Sequence, residues 1–238
     1  MASVCKSISE CLVAQDFIDL TLICGKETFK VHKLVVCSQS KVLRAACVGV
    51  FKEAASDSIE LHDELVVVER LVQFFYEGDY PDLTEPPVSN QKDSSVMSNI
   101  KLHALMYAAA DKYDISALTT EAKKRFEKSL AKFPTNLSVL SAVNTVYTTT
   151  PDSDHELRDI LVNYIRTRRH SILIGDGSES LFWEAVRSIP DFAANIIHQL
   201  VFVTDQPSFR GKFKPEPLLT SGHSSKISKR TKQPKPVR

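Results

Sequence analysis

"DLTLICGKETFKVHKLVVCSQS", residues 19–40, decides how the rest of the chain is read. Leu20, Leu22 and Cys24 alternate with Thr21 and Ile23, and Phe29 and Val31 alternate with Thr28 and Lys30. Alternation of this kind marks half-buried strands. Gly25-Lys26 between the two runs suits a two-residue hairpin loop with glycine first. Short helices are expected over 32–37 and 40–48, with Ser38 and Ser40 as cap candidates and Val42, Leu43 and Ala46 sharing a face. His32 and Cys37 thus stand five positions apart at a strand-to-helix junction, either as a chemical pair or as two residues that shape the fold.

The chemical reading needs more than proximity in sequence. A cysteine nucleophile needs a thiolate beside an imidazole in an electropositive, accessible niche. Cys37 instead follows Leu34, Val35 and Val36, about one and a half turns from His32. A structural zinc site needs four ligands in closed spacing, and His32, Cys37, Cys47 and His62 offer the atoms without a recognisable spacing. The seven glycines are scattered, so no phosphate cradle is expected, and "GDGSES" at 175–180 reads as the turn that opens a helix. No catalytic residue, metal or cofactor is expected.

The remaining segments read as helices after one short strand, "DSIELHD". "LVVVERLVQFFYEG" places Val68, Leu71, Val72 and Phe75 on one face, with Gly78 to end it. Residues 80–99 hold three prolines and no apolar period, and read as an exposed loop insertion. In "IKLHALMYAAADKY", Leu102, Leu105, Met106 and Ala109 share a face. In the next segment Leu118, Ala122, Phe126 and Leu130 do, and Glu121/Arg125 form an i,i+4 pair. Three further helical segments follow. The second is opened by a capping box, Ser153-x-x-Glu156, and the third is broken at Pro190. The fold class is α+β: a small mixed sheet flanked by helices, with an all-helical C-terminal extension. The expected organisation is an N-terminal helix over 1–15, the mixed domain over 16–131, the helical extension over 132–204 and a basic disordered tail over 205–238.

The chain has 238 residues, 43% hydrophobic and 25% charged, with no apolar run long enough for a membrane span; "MASVCKSISECLVAQDF" lacks the long apolar core and basic lead of a secretory signal, so none is expected. All five cysteines, Cys5, Cys11, Cys24, Cys37 and Cys47, fall in the first 47 residues without a C-x-x-C. They read as free buried thiols of a reducing compartment, and a cytoplasmic or nuclear location is expected. The net charge of +1 hides an asymmetry. Nine basic residues and Glu216 alone lie beyond residue 209, which leaves 21 basic and 28 acidic residues, a net of −7, before it.

The stretch from "DFIDLTLICGKETFKVHKLVVCSQS" through "FKEA" and "YEGDY" resembles a BTB/POZ domain of the fungal type, and "LHALMYAAADKYDISALTTEAKKRF" resembles the closing helices of that family. The resemblance covers residues 12–131, and the 80–99 insertion departs from it. It implies a protein–protein interaction module without catalytic activity, in which Asp19, His32 and Cys37 are structural and His32 ties the hairpin to the first helix. It also implies a homodimer through the N-terminal helix, with Val4, Ile8 and Leu12 at the interface. A third implication is an adaptor role, with Phe51 and Glu53 as the hydrophobic-x-Glu triplet that meets a cullin scaffold for an unknown substrate protein. A rival reading is a nuclear or chromatin-associated factor that uses "KISKRTKQPKPVR" for import or nucleic-acid contact. Against nucleic acid stand the lack of a zinc finger or helix-turn-helix signature and the few aromatics of the tail.

Overall fold

The alternation in residues 20–31 becomes a hairpin in which β1 (Leu20–Cys24) pairs antiparallel with β2 (Glu27–Val31), Leu22 opposite Phe29. Gly25, at φ 59°, opens the two-residue loop in a conformation that favours a residue without Cβ. β3 (Ser58–Glu60) joins the other side of β1 in parallel, giving the order β2-β1-β3, and the central strand buries Leu20, Leu22 and Cys24. The computed structural model describes residues 2–48, 56–83, 97–132, 134–174 and 178–201, with side chains from residue 6 and excluding that of 174.

Helices cover this sheet. α1 (Ala2–Ala14) precedes it, and α2 (Lys33–Gln39) and α3 (Lys41–Val48) follow the hairpin. α4 (Leu65–Glu77) is the hub: it packs against α1, α2 and β2, and buries Val68, Leu71, Val72 and Phe75 as the period predicts, together with Val67, Phe74 and Tyr76. Gly78 ends it in the left-handed region at φ 71°.

The hairpin, α2 and α4 meet at His32. The His32 backbone N–H donates to the Tyr76 hydroxyl at 2.9 Å, and its Nδ1 lies 2.7 Å from the same oxygen. Its Nε2 lies 2.8 Å from the Asp16 carbonyl oxygen. A carbonyl only accepts, so Nε2 carries the proton and donates. Nδ1 is then the acceptor for the Tyr76 O–H, and every polar atom of the joint is matched. Asp19 completes it from β1's leading edge: its Oδ1 accepts the Lys33 N–H at 2.7 Å, capping the first amide of α2 from fourteen residues away. Gln39 donates to the Phe75 carbonyl at 2.7 Å, satisfying one of the last carbonyls of α4.

α5 (Asn99–Lys112) is sandwiched between α6 (Ser116–Ala131) on one side and α7 (Asn136–Thr149) on the other, and also packs on α4. Burial therefore extends beyond the predicted face to Ile100, His103, Ala104, Tyr107 and Ala110, while Leu105 is only partly covered. A helix buried over most of its circumference carries little amphipathic signal. Ser40 joins this layer to the first: its hydroxyl donates to the Tyr113 carbonyl at 2.6 Å and accepts the Leu43 N–H at 3.0 Å, capping α3. Val42, placed with Leu43 and Ala46 by sequence, is 44% exposed, whereas Leu43 is buried and Ala46 packs partly against the core.

The extension continues as α8 (Glu156–Thr167), α9 (Arg169–Ile174), α10 (Glu179–Ser188) and α11 (Pro190–Val201), with Pro190 at the first helical position. The expected capping box does not form at α8. Asp154 Oδ1 accepts the Glu156 N–H at 2.9 Å, a local Asx contact that replaces Ser153. Arg158, 2% exposed, is held by the Thr150 carbonyl at 2.8 Å, by Asp152 at 3.2 Å, and by the face of Tyr147. Residues 1–204 form one compact unit, and a single apolar core runs from the sheet to α11.

Of the 80–99 insertion, 84–96 lie outside the described residues, and its flanks are held firmly. Tyr80 is buried, bonded through its hydroxyl to His103 Nδ1 at 3.0 Å and covered by the Arg125 guanidinium. Arg125 also binds Asp79, Asp82 (3.1 Å) and Glu121 (2.9 Å). Leu83 donates its N–H to Asn99 Oδ1 at 2.7 Å. His103 Nε2 has no hydrogen-bond partner, with Asp82 at 3.5 Å. Burial, outweighing the attraction of Asp82, lowers the His103 pKa to about 4.

Two outcomes are expected. Tyr76→Phe strips the His32 N–H and Nδ1 of their shared partner and lowers stability by about 1–3 kcal/mol, read as a shift in urea midpoint; an unchanged midpoint would show that the joint contributes nothing. His103 takes up a proton near pH 6.5 when unfolded and only near pH 4 when folded. The unfolded state therefore binds more protons between these values, and stability falls as pH drops through that window, by about 2 kcal/mol at pH 5. His103→Gln should remove this component, so parallel pH slopes for the two proteins would refute it.

Candidate protein interaction surface

Both ring nitrogens of His32 are engaged in the joint, which leaves none to activate a thiol. Cys37 points instead towards α3, with Sγ 3.9 Å from the Leu43 carbonyl oxygen, and Val36 occupies the core position beside it. Of the thiols read as buried, Cys24 is, but Cys11, Cys37 and Cys47 are only half-buried, because they lie on helix flanks rather than on the sheet's inner face. Cys5 lies among the residues whose side chains are not described. Among the described residues no three His, Cys, Asp or Glu side chains gather as a metal site, and His62 is exposed.

An open cleft of about 540 Å³ runs between the β3–α4 connection, α5 and the end of α7. Its acids are largely committed within the fold. Asp63 is bound by Lys112 at 2.9 Å and by the Tyr113 hydroxyl, and Glu64 lies 4.0 Å from Lys101. The Tyr113 hydroxyl is pushed well above the usual tyrosine range, by burial first and then by its bond to Asp63. No helix among the described residues is long and apolar enough to cross a membrane.

The surface with unsatisfied contact capacity lies at the N-terminal end. Five of the ten large apolar side chains that the described residues leave exposed are Val13, Phe17, Leu34, Val42 and Val48, all within the first 48 residues. Phe17 is 85% exposed and Leu34 81%. They flank the Asp16–His32 bond, one residue after Asp16 and two after His32. Gln15 and Phe17 sit at φ 59° and 58°, a strained setting for residues with side chains that turns the chain sharply from α1 into β1.

The sequence-predicted partner residues distribute unevenly over this surface. Ile8 and Leu12 are half-buried against the core of their own domain, where α1 lies on α4. The Val4 side chain, Phe51 and Glu53 lie outside the described residues. Val13, Phe17 and Leu34, which the sequence reading does not single out, are exposed. The period in "SVCKSISECLVAQDF" favours the face that includes Ile8 and Leu12, whereas Phe17 is turned outward by two left-handed residues that no period announces.

Residues 9–130 match the family model of the BTB/POZ domain. Two similar relatives are the BTB/POZ and MATH domain-containing proteins 3 and 5 of Arabidopsis thaliana. Protein 3 is 32% identical over 101 residues, 42% of this chain and 24% of the relative; protein 5 is 32% identical over 103, 42% and 25%. The chain thus spans about a quarter of the length of these curated relatives. Among solved structures, the BTB domain of zebrafish PATZ1 covers 53% of this chain and 91% of its own, at 14% identity and a TM-score of 0.41. The matched residues comprise the hairpin, the His32 joint, the α4 hub and the α5–α6 pair. A chain built on this plan, with more than half its length inside the family model, belongs to the BTB/POZ domain family and carries its protein–protein interaction module.

Proposed function

We propose that the chain self-associates as a homodimer through the face that carries Val13, Phe17 and Leu34, and acts as an adaptor that brings a substrate protein to a cullin scaffold. The observation that carries the first part is the exposed pair Phe17 and Leu34 beside the strained α1–β1 turn. An aromatic and an aliphatic side chain held in water by a rigid joint form a ready anchor for a partner. A second copy presents the same patch, which a two-fold interface requires. Because Ile8 and Leu12 cover the chain's own core, they support the seat from behind. Removing α1 would therefore confound loss of association with loss of folding.

Adaptor function rests on family membership and on the triplet Phe51-Lys52-Glu53, which begins three positions after the last residue of α3 in sequence. A hydrophobic residue with an acid two positions on offers an apolar anchor and one charge to a basic partner surface. Such small hot spots dominate interfaces of this kind.

Sedimentation of the full chain at tens of micromolar, the range of an association near −6 to −7 kcal/mol, should show a dimer. A Phe17→Ser/Leu34→Ser variant should sediment as a monomer with its stability changed by no more than about 0.5 kcal/mol per site. A wild type that stays monomeric, or a variant that dimerises as well, overturns the dimer. In a titration with a purified cullin N-terminal domain, Glu53→Lys should weaken binding by at least about 2 kcal/mol, roughly thirtyfold. Equal affinities would place the chain outside cullin assemblies.

A further inference from the structure

The 540 Å³ cleft is walled by α5 and the start of α4, inside the matched domain, and by the end of α7, beyond it. Its covered lining is apolar: Val67 and Ala109 are buried, and Leu105 packs partly against the core. Its charge has one sign. Asp63, Glu64 and Asp111 stand against Lys112 alone, a net of −2. Lys112 is engaged by Asp63 at 2.9 Å, and Lys101, outside the lining, approaches Glu64 only to 4.0 Å. The Glu64 side chain stays 50% exposed, and the exposed Asp111 makes no ion pair among the described residues.

The hydroxyls of the lining add to this polarity. Thr148 and Thr149 donate to the Asn144 and Thr145 carbonyls, each at 2.7 Å. A hydroxyl whose hydrogen is used in this way only accepts from outside. The last carbonyls of α7 bring partial negative charge to the same end, of which Arg158 takes the neighbouring Thr150 carbonyl. Apart from Lys112 and the imidazole of His62, every polar side chain of the lining therefore offers acceptors. A matching ligand carries positive charge, several donors and an apolar stem. Arginine has all three: five N–H donors with no acceptor, a permanent charge, and a stem that lies on apolar surface while its head stays in water. Lysine gathers its three donors at one point, whereas a guanidinium fork spreads them over separated acceptors.

We propose that this cleft docks an extended segment of a partner protein through one arginine side chain, its stem on Val67 and Leu105 and its guanidinium donating to the acceptors of the exposed lining. That the partner is the substrate rests on the adaptor reading; the docking of arginine does not.

The test titrates the ¹⁵N-labelled full chain with the peptide acetyl-Gly-Leu-Arg-Leu-Gly-amide, and with the same peptide carrying norleucine or glutamate in place of arginine. The arginine peptide should give saturable amide shifts centred on Leu105, Asp111, Thr148 and Thr149, and the other two should bind several-fold more weakly. In a Glu64→Gln/Asp111→Asn variant the Kd for the arginine peptide should rise at least about fivefold, the loss of two charge contacts near a protein surface. No saturable shift, shifts centred elsewhere, equal binding of the norleucine peptide, or an unchanged Kd in the folded variant would each overturn the proposal. Movement of the same amides on dilution of the free chain would seat a second copy in the cleft and overturn it as well. Should the variant fail to fold, the three peptides on wild type decide alone. No cullin is present in these titrations, so their failure leaves the Glu53→Lys test of the adaptor reading untouched, and the reverse holds too.

Discussion

The Tyr76 hydroxyl accepts one hydrogen bond from the His32 backbone and donates another to its ring, and through that ring the chain segment around Asp16 is held as well. This one oxygen fastens the hairpin, α2 and the α1–β1 turn to α4, the helix on which the first half of the molecule packs. Its strength comes from complementarity of donors and acceptors rather than from charge: a neutral imidazole with one protonated nitrogen fits, and each atom is used once. Such a network is all-or-none, because a lost member leaves its neighbours unsatisfied in a partly buried place. The histidine that invites a chemical reading at the sequence level is thus unavailable for chemistry for the same reason that it is indispensable to the fold.

What the sequence made legible follows from where periodicity is enforced. β1 is central and buried on one face, so Leu20, Leu22 and Cys24 had to alternate, and α4 and α6 each bury one stripe, so their patterns were plain. α5 has more core residues than the four the sequence suggests, because neighbours cover most of its circumference and leave a stripe of Lys101, Leu105, Ala108 and Lys112 partly open. The capping box at Ser153 misled because Asp154 competes for the same amide with a shorter reach. The separate α9 escaped notice because its break at Arg168 is made by backbone angles that no glycine or proline announces.

The interaction surface was the least legible part. The heptad-like spacing of Ile8 and Leu12 is a burial signal and cannot tell whether the covering surface belongs to the same chain or another. Ile8 and Leu12 are partly covered by the core of their own chain. The exposed apolar side chains of this region, Phe17 in the turn and Leu34 at the start of α2, follow no period, and Phe17 is turned outward by left-handed backbone at Gln15 and Phe17. Conformation of that kind is set by the closure of the His32 joint, a contact between residues 44 positions apart.

α5 has a consequence that reaches past the family boundary. One side of it belongs to the matched domain, through α6, and the other is covered by α7, which lies beyond residue 130. Leu102, Ala104, Met106 and Ala109 belong to one apolar core that also takes in residues of α6 and α7. A fragment ending after α6 would present the bare flank of α5 to water, a continuous apolar strip that invites aggregation or borrowed partners. The helical extension is, in energetic terms, the missing wall of the BTB domain, and a shared core of this kind is expected to melt as a single cooperative body.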